Sequence, residues 1–368
     1  MSSLAPAEKR PDIILLMATL ILVTVGTVMI YSSSSIMAAE KFRDGQHFLK
    51  KQIFFVFLGM GIMVFLTKFS YRKLRKAAYP GIVLSVLLLC LLFVPHMGVK
   101  AGGATRWLNM GIFSFQVTEM AKIALTVFLA HFLSKKTQHL KEFTQGVLTP
   151  LAVTLVIVTP ILLEPDFGTS VIIALILMLM LYLSGTRLLH LAGLAAAFAP
   201  IAVWLVVHKS YRWQRLISFL DPWKDPRNTG FQIIQSLLSF GSGGTFGVGI
   251  GDGMQKLFYL PEPHTDFILA VIAEESGFIG VGIIVFLFAL FVLRGFIISL
   301  KAPDLFGTLL AAGLTMIIAL EAFINIAGVM GLIPLKGLAL PFLSYGGTSL
   351  IMSLAAVGIL MNISSYQT

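Results

Sequence analysis

The chain has 368 residues, of which 57% are hydrophobic and 12% charged. A soluble domain of that length cannot cover so much apolar surface, so the class is a polytopic membrane protein. The formal net charge of +10 does not point to nucleic acid, because Lys and Arg gather in the short cytoplasmic loops of membrane proteins. The one cysteine, Cys90, lies inside an apolar run, which excludes a disulfide framework and a cysteine metal site.

About twenty apolar residues cross a bilayer as a helix. Ten such spans are expected, near 12–34, 52–67, 77–95, 115–134, 145–163, 169–184, 188–207, 267–293, 305–330 and 340–362. The first is too long for a signal-peptide core and is read as an uncleaved span. Nothing alternates like a barrel strand, so the fold class is all-α, a single membrane domain covering 1–368. Basic residues concentrate at 9–10, 68–76, 135–141, 187, 294 and 301. By the positive-inside bias both termini are then cytoplasmic. One large extracytoplasmic loop, 208–266, joins helices 7 and 8. The unusual polar segments GGATRW (102–107), EPDFGT (164–169), LPEPHTDF (260–267) and LPFLSYGG (340–347) all fall on that outer side.

In FQVTEMAK (115–122), Gln116, Glu119 and Lys122 are spaced i, i+3, i+6 and are expected on one side of span four. A charge two turns into the bilayer is costly, so Lys122 either pairs with Glu119 to hold helices together or lines a cavity for an anionic ligand. Arg106 and Trp107 at the same depth read as interface anchors, or as a second cation suited to a pyrophosphate. Glu164 and Asp166 read as turn residues or as part of that polar face.

The loop 212–256 is glycine-rich but holds no GxGxxG and no P-loop pattern, which rejects a nucleotide site. Its stretch 231–240 has helical spacing and reads as a short interfacial helix. Pro261 and Pro263 place the start of span eight near His264 or Thr265. Asp266 then falls in the first turn, where the helix dipole favours a carboxylate. Glu274 and Glu275 lie deeper in the same span and suggest a polar cavity opening outward. Glu321 and Asn325, i and i+4 in span nine, should face the bundle. The seven histidines form no HExxH and no dense cluster, against structural zinc; a magnesium or manganese ion held loosely on Asp266 is compatible with the pattern.

YLPEPHTDFILAVIAEESGFIG (259–280) and GLIPLKGLALPFLSYGGTSL (331–350), with RWLN, FQVTEMAK, EPDFGT and LDPWKDPRNTGFQIIQS in the same order, strongly resemble the SEDS family of bacterial cell-wall polymerases. Within it, PLKGLALPF (334–342) and QKLFYLPE (255–262) look more like the FtsW branch than the RodA branch. Thr348, where a serine is usual, and FQVTE, where FQPSE is usual, depart from the pattern.

The resemblance implies a ten-helix peptidoglycan glycosyltransferase polymerising lipid II at the outer face of the cytoplasmic (inner) membrane. Asp266 would be the catalytic carboxylate. The neighbouring motif residues Arg106, Trp107, Gln116, Glu119, Lys122, Asp166, Arg215, Glu262, His264, Thr265, Lys336, Ser344 and Tyr345 would bind lipid II and the nascent glycan. It also implies a class B penicillin-binding transpeptidase as partner, among other division or elongation proteins. The alternatives are a RodA-like elongation polymerase, a lipid II flippase, and a scaffold that recruits the transpeptidase.

Overall fold

The computed structural model describes residues 11–101, 104–109, 111, 114–254, 260, 263–334 and 337–366. Glu262 and Lys336 lie outside them. Twelve α-helices are described, numbered here in chain order. They are α1 (Ile13–Phe42), α2 (His47–Lys68), α3 (Leu74–Leu91), α4 (Val117–Lys135), α5 (Thr149–Leu163), α6 (Phe167–Leu183) and α7 (Leu188–Val207). The loop helices α8 (Ser210–Leu220) and α9 (Phe231–Gly243) are followed by α10 (Ile268–Leu300), α11 (Leu305–Val329) and α12 (Gly347–Ser364). Among the described residues, nine helices are long and apolar enough to cross a membrane, and α6 is a shorter apolar helix of 17 residues. The expectation of an all-helical membrane protein therefore holds, and the expected interfacial stretch at 231–240 is the helix α9.

The spans pack around α4, α11 and α12, whose side chains are mostly buried, whereas α3 and α7 turn most of theirs outward. α12 lies along α2, α3 along α4, and α10 between α1, α9 and α11. Between α3 and α4 the chain forms a small antiparallel sheet, β1 (Gly98–Ala101), β2 (Ala104–Asn109) and β3 (Ser114–Gln116), in the order β1-β2-β3. Trp107 faces Val99 on one side and Gln116 on the other. No strand was expected there. The sheet is tied to α12 through Thr348, whose hydroxyl accepts from the Gln116 N–H at 3.1 Å and donates to the Ser114 carbonyl at 3.3 Å. The hydroxyl that threonine shares with serine is the part that is used.

Three boundaries differ from expectation, each for a local reason. Gln116 ends β3 and stands at the N-cap of α4, so it is not on that helix's face with Glu119 and Lys122. The chain at 340–346 is irregular, and α12 begins only at Gly347, because Leu340 and Ser344 bond to each other and the Ser344 hydroxyl donates to the Thr265 carbonyl ahead of α10. Asp266 precedes α10, whose N-cap is Phe267, so it is not in the first helical turn.

α10 is itself broken at Gly277, where φ is 66° and ψ −165°, values that glycine adopts without a Cβ clash. A break inside a bilayer must find new partners for the released backbone groups. The glycine-rich segment after α9 supplies them. The N–H groups of Val248 and Gly249 donate to the carbonyls of Glu274 and Glu275 at 3.0 and 3.1 Å, and those of Phe278 and Ile279 donate to Gly244 and Thr245 at 2.9 and 3.2 Å. The Glu274 carboxylate accepts the Met254 N–H at 2.8 Å, and the Glu275 carboxylate accepts the Ser32 hydroxyl of α1 at 2.7 Å. Both glutamates are buried in this splice and do not line the cavity at the head of α10, contrary to expectation.

Candidate active site

At the end of the bundle where α4, α6, α10 and α12 begin lies a cavity of about 240 Å³. Its described lining comes from the sheet (Arg106, Trp107, Gln116), α4 (Glu119), the α5–α6 turn and α6 (Asp166, Thr169), the segment before α10 (Thr265, Asp266), α11 (Glu321) and the 337–349 stretch (Gly337, Leu338, Ala339, Tyr345, Gly346, Ser349). Eight of the residues picked from sequence thus share one space: Arg106, Trp107, Gln116, Glu119, Asp166, Thr265, Asp266 and Tyr345. Among the described residues, four carboxylates and one guanidinium line it.

Asp266 is placed by its backbone. Three successive carbonyls are held: that of His264 by the Tyr345 N–H at 2.9 Å, that of Thr265 by the Ser344 hydroxyl at 2.6 Å, and that of Asp266 by the Asn325 amide at 2.9 Å. The same Asn325 amide nitrogen also donates to the Leu338 carbonyl at 2.6 Å, joining the two motif segments. His264 is buried against Phe48 and Tyr345, with ring centroids 4.6 and 5.7 Å away. So His264 and Ser344 do not line the cavity; they fix the strand of chain that carries Asp266. Gly337 approaches from the far side with φ +60°, and a Cβ there would stand 3.1 Å from the Asp266 carboxylate.

Opposite, Asp166 caps α6 by accepting the Thr169 N–H at 3.2 Å and the Thr169 hydroxyl at 2.8 Å. Its second role is to hold Arg106, whose Nε lies 3.1 Å from Asp166 Oδ2. Asp166 is buried while the Arg106 side chain keeps 22% of its surface exposed, so the guanidinium is anchored at its root and reaches the cavity.

Of its two readings from sequence, Lys122 follows the ion pair and not the cavity cation. It is 2% exposed, with Nζ 2.9 Å from Glu119 Oε1 and in close contact with Glu321 Oε1. A lysine enclosed by two carboxylates is neutralised in place, which is how a charge survives at membrane depth. It stands behind the cavity and holds α4 to α11. Glu321, read from sequence only as facing the bundle, lines the cavity as its fourth acidic residue; a partner 199 residues away leaves no local spacing signal. Arg215 is exposed on α8 and does not line the cavity. Among the described residues no group of three His, Cys, Asp or Glu side chains converges as metal ligands do.

The chain is similar over nearly its whole length to proteins of one family. A family model described as "Cell cycle protein" (FTSW_RODA_SPOVE) matches residues 13–368. The chain is 45% identical to the "Probable peptidoglycan glycosyltransferase FtsW" of Geobacter sulfurreducens over 357 residues, 97% of this chain and 96% of that one. It is 42% identical to "Stage V sporulation protein E" of Bacillus subtilis, covering 98% of each. Among solved structures, a chain from "Structural coordination of polymerization and crosslinking by a peptidoglycan synthase complex" superposes with a TM-score of 0.80 at 30% identity, covering 97% of this chain and 99% of that one. The rod shape determining protein RodA of Thermus thermophilus gives 0.72 at 26%, covering 97% and 98%.

Proposed function

The chain belongs to the FtsW/RodA/SpoVE family, and from that membership and the cavity we propose that it is a peptidoglycan glycosyltransferase that polymerises lipid II during septal wall synthesis. The observation that carries the reading is Asp266, held by bonds to three successive backbone carbonyls on the wall of the cavity that Arg106 also lines.

Asp266 accepts the proton of the acceptor sugar's 4-hydroxyl as that oxygen attacks the anomeric carbon of the donor. The new C–O bond forms as the bond from that carbon to the lipid pyrophosphate breaks. The electron pair leaves with the phosphate oxygen, and undecaprenyl pyrophosphate departs. One carboxylate is enough, because a pyrophosphate leaves as an anion and needs no protonating acid, unlike the leaving group of a glycosidase. Displacement from an α-linked pyrophosphate inverts the centre to a β-1,4 link. Arg106 stabilises the charge that grows on the pyrophosphate, where a preset cation is worth most. Lys122 contributes from behind by holding Glu119 and Glu321.

In this reading the cavity opens on the outer side of the cytoplasmic membrane, in a single membrane domain with both termini inside. The basic residues at the opposite end, such as Arg72, Arg75 and Arg294, support that orientation. A cross-linking transpeptidase is the expected partner, in line with the polymerisation and cross-linking complex that the fold resembles.

The test is polymerisation of labelled lipid II by the purified chain. Asp266→Asn should lower the rate by roughly 10³-fold while the protein elutes as a folded species. Polymer made at the unaltered rate would remove Asp266 from the chemistry.

A further inference from the structure

Glu164 is the acidic residue of the α5–α6 turn that the mechanism does not use. It is 3% exposed, and neither carboxyl oxygen has a hydrogen-bond partner among the described residues. A buried carboxylate without donors is costly, and such a group stays protonated where it can. Burial, with the like charge of Asp166 beside it, pushes its carboxyl up to about 8, against the opposing pull of Arg106. Glu164 does not line the cavity, but both of those neighbours do.

Arg106 comes from β2 and Asp166 from the same turn as Glu164. Further out, α8 brings the Arg212 guanidinium to 5.0 Å from the Phe167 ring, and α4 contributes Glu119 across the cavity. Of these charges only Arg106 is a cation that lines the cavity. Arg106 already pairs with Asp166, its Nε 3.1 Å from Oδ2. Glu164 sits two residues before Asp166 in the same turn, so a charge on it acts on the pair that holds Arg106.

We infer that Glu164 is a positioning residue for glycosyl transfer: as a neutral acid it leaves Arg106 paired with Asp166 and directed at the donor pyrophosphate, and as a carboxylate it competes for that guanidinium. The change is a single ionisation, with the proton lost to solvent. The inference rests on the function proposed above, in which Arg106 meets the pyrophosphate. It gives the polymerase an alkaline limit set by a residue that touches no substrate.

The experiment is the turnover rate of lipid II polymerisation by the full chain, with its cross-linking partner present if that is needed for activity, between about pH 6.5 and about pH 9.5. Wild-type turnover should fall above about pH 8 and approach a tenfold loss per pH unit. Glu164→Gln carries a permanently neutral isostere. It should keep turnover at pH 7 within about threefold of wild type and lose the alkaline fall. Glu164→Ala, also neutral, carries the same expectation if the amide disturbs folding. A folded neutral variant that keeps the wild-type alkaline fall overturns the inference, and so does one that is inactive at pH 7. Asp266→Asn run beside them separates the two readings. Polymer from that variant at the wild-type rate defeats the proposed chemistry, whereas its loss together with an unshifted profile in Glu164→Gln defeats only the role given to Glu164.

Discussion

The two ends of the bundle hold similar charged groups and use them differently. At the end away from the cavity, Asp12 caps α1 and closes on Arg294 of α10. Asp304 caps α11, takes the Tyr71 hydroxyl at 2.9 Å, and pairs with Arg75 at 3.1 Å and Arg72 at 3.4 Å. Asn362 donates to Thr67 and accepts from the Tyr71 N–H. Each of these groups ends a helix or ties two together. At the cavity end Asp166 also caps a helix, but Glu119, Glu321, Asp266 and Arg106 are held from behind and present their polar ends to a shared space. The difference teaches how to tell structural charge from working charge here. Structural groups close on each other, whereas working groups are anchored through backbone or a buried counter-ion and keep one face on the cavity.

Lys122 is where that distinction is most exposed to failure, because it belongs to the cavity end yet is enclosed. Lys122→Ala leaves the buried Glu321 beside the like charge of Glu119 with no counter-ion and should cost about 3–5 kcal/mol of stability. Thermal unfolding in detergent measures it. Normal stability with lost turnover would instead make Lys122 a substrate contact.

Asn325 tests the backbone anchoring. Asn325→Ala removes the bonds to both the Asp266 and Leu338 carbonyls and lets the carboxylate drift. A displacement on the order of 1 Å lowers turnover roughly 100-fold, with the affinity for lipid II little changed. An Asn325→Ala protein with wild-type turnover would show that the strand is held by Ser344 and Tyr345 alone.

Gly337 tests the same anchoring from the opposite side. Its φ of +60° and the 3.1 Å approach to Asp266 make Gly337→Ala both strained and crowded. The strain alone costs about 1 kcal/mol, and turnover should fall several-fold more than stability suggests. Equal losses in the two would place the effect in folding only.

How far the sequence carried these points depends on the range of the physics. The spans were legible because a bilayer imposes a length and an apolar composition on every helix that crosses it; the starts of α10 and α12 were not, because tertiary bonds from Asn325, Ser344 and Tyr345 hold the preceding chain out of the helix. The Glu119–Lys122 contact was visible in its i, i+3 spacing, while Glu321, which completes it, sits 199 residues away. The sheet escaped notice because its strands are only four, six and three residues long. The glycines of the 212–256 loop are compatible from sequence alone with close backbone packing or with an extended lining near a bulky ligand, and those at 243–253 serve the first. They repair the break in α10 through backbone-to-backbone bonds, which have no side-chain signature. Motif resemblance, not spacing, singled out Asp266, and the structure added what holds it.

Asp304 gives the smallest effect and the cleanest contrast. Burial acts to raise its carboxyl, but the Gly307 N–H, the Tyr71 hydroxyl and the charges of Arg75 and Arg72 outweigh it and hold the group below its ordinary value of 3.8. A carboxyl depressed in the folded state contributes stability that is complete above 3.8 and is lost as pH falls through the folded value. The group is partly solvated and screened, so the contribution should stay under about 1 kcal/mol. Wild type should therefore lose a few degrees in Tm on acidification below about pH 4 that Asp304→Asn does not lose. Turnover per folded molecule at pH 7 should be the same in both. The two ends then titrate different properties, stability in acid at Asp304 and turnover in alkali at Glu164; an Asp304→Asn protein with an altered turnover profile would mean that the charges at the two ends are coupled through the bundle.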